Sequence, residues 1–448
     1  MSGASHRGGE KRAGRPTRAP RERALVAAIL LPESDAGLLA DPLAEITGLA
    51  RAAGAEVVGG GMQRLAHPQA RAAFGAGKIG ELKEMAAGLA ADLVVVDFDL
   101  SPSQGRHLEE DLGCRVVDRT ELILDIFANR AQSRQAKLQV ELAQLTYLRT
   151  RLRRMWTHLE RTEGAIGTRG PGETQLESDR RLIDQKITEL RARLKEIEAR
   201  RHREALAREH PEMISLVGYT NAGKSSLMRA LTGAEVYVAD RLFATLDTRV
   251  RAWRLRDRRR VLLADTVGFV RDLPHHLIAS FHATLEETLN ADLLLQVADA
   301  SDPLLESHLA AVAKVLADLG AEQIPRLLVL NKSDRLDGES RLLLSRAHPD
   351  AIFTSTEDGD GMEDLDAEVA RRLDAWSLRL TVEVPAAAGK LLAGLRSVAR
   401  VVREEWQGEN WAAQLVLPPR PWQALRADLE QCGGRWRVTN SSPDALLF

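Results

Sequence analysis

The feature that most constrains this chain is a short apolar run, Met213 to Val217, that passes directly into Gly218-Tyr-Thr-Asn-Ala-Gly-Lys-Ser225 and then into a helical pattern carrying Leu227 and Leu231. In that order the glycines turn the backbone tightly, N–H groups point at phosphate oxygens, and the positive end of a helix stands behind them. The fold class expected around such a loop is α/β, with parallel strands fed by crossover helices. Lys224 is expected to neutralise β- and γ-phosphate charge and Ser225 to ligate Mg2+, while Gly218, Tyr219, Thr220, Asn221, Ala222, Gly223 and Ser226 complete the cradle.

A phosphate loop alone fits many nucleotide enzymes, so the remaining motifs decide the class. Val261 to Ala264 reads as a buried strand ending in Asp265-Thr-Val-Gly268. There a carboxylate can hold magnesium through water and a glycine N–H can face the γ-phosphate, with Thr266 and Val267 between them. A further strand, Leu327 to Leu330, ends in Asn331-Lys-Ser-Asp334. Asp334 can accept from the ring N–H and amino group of guanine, Asn331 can bond the purine edge, and the Lys332 stem can cover a base face. Adenine cannot satisfy Asp334 in this way, so the expected ligands are GTP and GDP. Ser355-Thr356, after a strand near Ile352, stands where a backbone N–H meets the guanine oxygen. Between the first two motifs lies Arg241-Leu-Phe-Ala-Thr-Leu-Asp-Thr248, from which Phe243 and Thr245 are assigned to the site. Thr245 is the expected switch hydroxyl on magnesium, with Thr248 as its competitor.

The expected reaction is hydrolysis of GTP to GDP and phosphate, with Lys224, Thr245 and Gly268 as the groups acting on the γ-phosphate. Ras-like enzymes place a water-orienting Gln directly after the glycine of this second motif. Here Phe269 stands there, and it cannot hydrogen-bond to water. Turnover by the chain alone is therefore expected to be slow, with water positioning supplied by backbone groups, another residue, a monovalent cation or a partner. Asn221 occurs in potassium-activated relatives that also lack the Gln, which makes K+ a second expected cofactor. His275 and His276 follow the motif, but phosphoryl transfer relies on positioning and charge neutralisation more than on a general base.

The chain has 448 residues, enough for several cores, and a formal net charge of -2 that excludes nothing by itself. Cys114 and Cys432 are the only cysteines, far apart, so neither a disulfide framework nor a zinc site is expected. No apolar run has the length of a signal peptide or a membrane span. The expected organisation is a disordered basic arm (1–23), an N-terminal α/β domain resembling a nucleotide-binding unit (24–128), a helical hairpin (129–209), a Ras-like P-loop G domain (210–378) and a small C-terminal α/β domain (379–448). The first domain rests on strand-like runs at Ala24 to Leu31, Glu56 to Gly59, Leu93 to Phe98 and Arg115 to Asp118. The hairpin rests on two stripes, Leu138, Leu142, Leu145, Leu148, Leu152 and Trp156, then Leu176, Ile183, Ile187, Leu190, Leu194 and Ile197. Between them, residues 162–174 hold four glycines and one proline, which predict a non-helical tip. Arg149, Arg151, Arg153, Arg154, Arg161, Arg169, Arg180 and Arg181 surround this tip and suggest a surface for a phosphate backbone. Trp406, Trp411 and Trp422 are expected in the C-terminal core.

Outside the nucleotide motifs, Phe74-Gly-Ala-Gly-Lys78, Asp118-Arg-Thr-Glu-Leu-Ile-Leu-Asp-Ile-Phe127, Gln139-Val-Glu-Leu-Ala-Gln-Leu145 and Gly167-Thr-Arg-Gly-Pro-Gly-Glu-Thr-Gln-Leu-Glu177 carry a resemblance to the HflX family of ribosome-associated GTPases. It departs from the family at Gln135 and Ala136, where a Glu-Gly pair is usual. The resemblance implies binding of the 50S ribosomal subunit and its rRNA through the hairpin tip, and splitting or rescue of stalled ribosomes under stress. It also implies ATP as a ligand of the N-terminal domain, with Gly75-Ala-Gly-Lys78 the visible segment; a simple turn is the competing reading. A cytoplasmic monomer is expected, ribosome-associated or peripheral at the membrane. The alternative function is a regulatory GTP-dependent switch on a protein partner such as a protease or membrane protein.

Overall fold

The computed structural model describes residues 21–32, 41–155, 171–206, 212–233, 243, 249–271, 289–417 and 419–440. The basic arm up to residue 20, most of the hairpin tip, the Thr245 and Thr248 positions, and His275 and His276 lie outside the described residues.

Among the described residues three sheets organise the chain. The first contains β1 (Arg23–Leu30), β2 (Glu56–Arg64), β3 (Leu93–Asp97) and β4 (Arg115–Asp118), all parallel, in the order β2-β1-β3-β4. The inner strands β1 and β3 are buried on both faces and read as apolar runs, whereas the edge strand β2 is only partly buried and carries Glu56, Gln63 and Arg64. Ala24, Val26, Leu93, Val95 and Val117 face a core with α1 (Ala44–Ala53) and α4 (Arg119–Arg130). Leu25, Ala27, Val94, Val96 and Val116 face another with α2 (Ala76–Gly88) and α3 (Pro102–Leu112). The order reverses at β1, where doubly wound sheets open a crevice beyond the strand carboxyl ends.

The hairpin follows as α5 (Arg134–Met155) and α6 (Pro171–Leu206). Leu138, Leu142, Leu145, Ile183, Ile187, Leu190, Leu194 and Ile197 form its seam. The outer end differs from the sequence reading in two respects. Helix α6 starts at Pro171, inside the span expected to be non-helical, because proline is pre-set for a first helical position, where its missing N–H costs nothing. Leu148 is 47% exposed and is not part of the seam.

The second sheet has six strands in the order β10-β9-β8-β5-β7-β6, drawn from β5 (Met213–Val217), β6 (Arg249–Arg254), β7 (Arg260–Asp265), β8 (Leu293–Asp299), β9 (Arg326–Asn331) and β10 (Ile352–Phe353). All are parallel except β6, which pairs antiparallel with β7. Helices α7 (Lys224–Thr232), α8 (Leu305–Asp318), α9 (Gly338–Ala347) and α10 (Met362–Trp376) accompany it.

The third sheet, order β12-β13-β11-β14, is antiparallel and formed by β11 (Leu378–Pro385), β12 (Arg400–Gln407), β13 (Asn410–Leu417) and β14 (Arg435–Asn440). With α11 (Gly389–Val398) and α12 (Pro419–Gln431) it follows the ferredoxin-like βαββαβ course. Trp411 and Trp422 lie in its core at 0% and 4% exposure. Trp406, paired opposite Trp411 in register, is 56% exposed and is not a core residue as expected. Cys114 and Cys432 are both free thiols. Among the described residues no helix is long and apolar enough to cross a membrane.

Candidate nucleotide site

Because β5, β7, β8 and β9 run parallel, the motifs that leave them at Gly218, Asp265 and Asn331 emerge on one sheet edge. The phosphate loop needs glycine at two places. A Cβ at Gly218, whose φ is +152°, would stand 2.1 Å from the Val297 carbonyl oxygen. One at Gly223, the residue before α7 with φ +94°, would stand 2.2 Å from Asn331 Nδ2. The loop thus passes directly over β8 and against the guanine motif.

Lys224 folds back into this loop and donates to the carbonyls of Gly218 (3.0 Å) and Tyr219 (2.8 Å). Burial pushes its ammonium down to about 8, with Asp265 acting in the opposite direction. A phosphate bound beside it would favour the charged ammonium further. Ser225 donates to Asp265 Oδ2 at 2.7 Å, and Asp265 is completely buried. A hydroxyl and a carboxylate so placed are hard oxygen donors of the kind Mg2+ takes with water and phosphate oxygens. Among the described residues there is no cluster of three or more His, Cys, Asp or Glu that could cage an ion without such help. Mg2+ would be held by Ser225, with Asp265 reaching it through water, and would supply charge neutralisation at the β- and γ-phosphates.

Thr266 is fully buried and donates to the Leu216 carbonyl at 2.7 Å, tying the second motif to β5. Val267 is also buried. Gly268 lies against the phosphate loop, since a Cβ on it would be 2.8 Å from Thr220 Cγ2 and 3.0 Å from Lys224 Nζ. Phe269 turns its ring into the core with Val217, Leu294 and Val312 and is 2% exposed. Its backbone does something else. Thr220 N–H donates to Phe269 O at 2.8 Å and Phe269 N–H to Gly218 O at 3.1 Å, a parallel bridge between phosphate loop and second motif.

The base-recognition motif is cross-braced to the same loop. Asn331 Nδ2 donates to Ala222 O at 3.0 Å and its Oδ1 accepts from Thr354 Oγ1 at 3.3 Å. Lys332, at φ +62°, donates to Asn221 O (2.9 Å) and to Asp299 Oδ2 (2.6 Å). Asn221 is exposed and itself left-handed at φ +63°. Asp334 is exposed at the end of this chain of contacts. Ser355 is buried and its hydroxyl accepts from the N–H groups of Glu357 and Asp358, so the turn holding Thr356 is closed on itself.

Phe243 is brought elsewhere. It is 1% exposed and packs edge-on against Phe127 of α4, ring centroids 4.8 Å apart. Tyr219 also faces the first domain, in one apolar cluster with Phe127, Val267 and Val270. Glu45, Asp97 and Arg119 meet it there, and no residue spacing could reveal them, since Glu45 and Tyr219 are 174 positions apart. Arg119 lay within the Asp118–Phe127 segment singled out above, without a role. The arginines of the hairpin are also partly engaged: Arg149 donates to Asp184 at 3.2 Å, and Arg151 pairs with buried Asp118.

A phosphate loop and the Asn331–Asp334 motif sharing one sheet edge are the arrangement of a P-loop GTPase, an enzyme that hydrolyses GTP. Family models match along its length: "GTP-binding GTPase N-terminal" over residues 40–128, "GTP-binding GTPase Middle Region" over 130–208 and "50S ribosome-binding GTPase" over 213–332. GTPase HflX of Escherichia coli K12 is 43% identical over 393 residues, covering 86% of this chain and 92% of that one. GTPase HflX of Magnetococcus marinus is 42% identical over 416 residues, covering 92% and 96%. The chain belongs to the HflX GTPase family. Among solved structures, a GTP-binding protein from Sulfolobus solfataricus in complex with GDP is 23% identical with a TM-score of 0.41, covering 78% of this chain and 97% of that one.

Proposed function

We propose that this GTPase binds the 50S ribosomal subunit through its helical hairpin and uses GTP binding and hydrolysis to split or rescue stalled ribosomes under stress. The observation that carries the reading is the hairpin itself. Helices of 22 and 36 residues flank, in sequence, a glycine-rich segment with arginines on either side. Such a segment suits contact with a phosphate backbone. The description of the matched G-domain family, a 50S ribosome-binding GTPase, points the same way. Phe269 gives the reading its kinetic side. With its ring in the core, Phe269 offers no side chain to orient water, and rRNA or K+ beside Asn221 would do so. The working location is then the cytoplasm. ATP at Gly75–Lys78 is a weaker reading, because Lys78 is already paired with Glu81 at 2.6 Å.

The deciding measurement is GTP hydrolysis with and without 50S subunits, together with co-sedimentation in a non-hydrolysable GTP analogue. Stimulation and pelleting with subunits are expected. Unchanged turnover with no pelleting would remove the ribosomal role and leave a switch acting on a protein partner.

A further inference from the structure

The segment just beyond Gly268 is held from two sides, and one side belongs to the N-terminal domain. Tyr219, 7% exposed, donates its hydroxyl to Glu45 Oε2 at 3.0 Å and accepts from the Arg271 N–H at 2.8 Å. Arg119 pairs with both Glu45 and Asp97 and donates to the Arg271 carbonyl at 2.8 Å. Arg271 in turn reaches Asp97 at 3.5 Å. Burial works to raise the Glu45 carboxyl, but the Arg119 and Arg271 guanidinium groups outweigh it and hold the carboxyl below its usual range. Glu45 is thus a charged acceptor, which strengthens its bond from Tyr219.

Phe269 and Arg271 therefore have all four of their backbone polar groups fixed: two on the phosphate loop, one on Tyr219 and one on Arg119. Gly268 precedes them by a single peptide unit and sits against Lys224. In an enzyme whose next side chain is core, the place of the Gly268 N–H depends on how its backbone is clamped. We propose that Glu45 and Arg119, acting through Tyr219 and Arg271, are positioning residues for GTP hydrolysis that hold the Gly268 N–H where the γ-phosphate needs it. The crevice at the sheet reversal of the N-terminal domain, where doubly wound folds take a ligand, is used here to seat the GTPase switch.

Diphosphate binding depends on the loop amides and the guanine motif, not on this clamp, so the clamp should act on turnover alone. Tyr219→Phe removes only the hydroxyl and keeps the ring stacked on His308 at 3.7 Å. In the full chain without ribosomes it is expected to lower single-turnover kcat by about fivefold or more, with GDP affinity and KM within about twofold of the parent. Glu45→Gln should do the same in the same direction. The double variant should be no slower than the slower single one, because both break one chain of contacts. Three results would each overturn the proposal: kcat equal to or above the parent's, kcat and GDP affinity falling together, or losses that multiply in the double variant.

Discussion

At Gly218 a single methyl group would stand 2.1 Å from a backbone carbonyl of the neighbouring strand, and that strand is fixed by its own ladder. Gly218→Ala therefore has no cheap relaxation. It should weaken GDP binding by roughly a hundredfold or more, read by titration with a fluorescent GDP; parent-like affinity would show that the loop can move off β8. Asp334 is a different kind of residue, exposed and unconstrained by packing, so Asp334→Asn should leave the fold intact. Its cost falls on selectivity, because an acceptor-only group becomes a mixed one facing two guanine donors. Preference for GTP over ATP should drop by roughly 10- to 100-fold in competition binding. Both residues were legible in the sequence because their chemistry depends on local order: a strand, then a fixed string of residue types. Phe243 was not. Its place depends on an aromatic partner in another domain, and proximity along the chain to a switch motif says nothing about that.

Elements were legible where one periodicity decides them. The heptad spacing of Ile183, Ile187, Leu190, Leu194 and Ile197 places these residues on the seam that forms. Leu190 is 2% exposed there, so Leu190→Ala should destabilise the hairpin by about 2 to 5 kcal/mol, seen as a loss of helical signal at lower temperature. Leu148 and Trp406 escaped the same logic because an apolar residue near the end of a stripe or on an edge strand need not find a partner. A charge cluster at the base of β5 was also illegible. Glu212 shares Arg259 with Asp257 and Asp374 and lies near Asp292, and its carboxyl is pushed up to about 7, first by burial and then by these acids, against the pull of Arg259. A raised carboxyl contributes stability that is complete below its unfolded value of 4.5 and is lost as pH rises through about 7. The loss amounts to about 3 kcal/mol. Glu212→Gln removes that charge while Arg259 keeps its other acids, so its melting temperature relative to the parent should rise between pH 5 and pH 8. A difference that is flat or falls with pH would contradict the assignment.

The whole molecule depends on contacts that no segment contains. The first two sheets are joined at a seam whose members come from α1, β3, α4, the phosphate loop and the stretch after Gly268. Sequence patterns report which side of an element is apolar but not which other element will cover it, so this seam became visible only in three dimensions. Arg119 is its centre: 4% exposed, it answers two partly buried carboxylates and a carbonyl at once, geometry that a planar guanidinium can meet and an ammonium cannot. Removing it strands Glu45 and Asp97 without their main countercharge. Arg119→Ala should cost about 3 to 5 kcal/mol, the range for breaking a buried ion pair from one side. The loss should appear as separation of the N-terminal and G-domain unfolding transitions in calorimetry, since the seam couples them. Arg71 provides the contrast, because its pair with Asp111 is at the surface, 65% and 26% exposed. Arg71→Ala should move stability by less than about 1 kcal/mol and leave the transitions as they were. If the two variants behave alike, the seam does not couple the domains, and the nucleotide site unfolds independently of the domain packed against it.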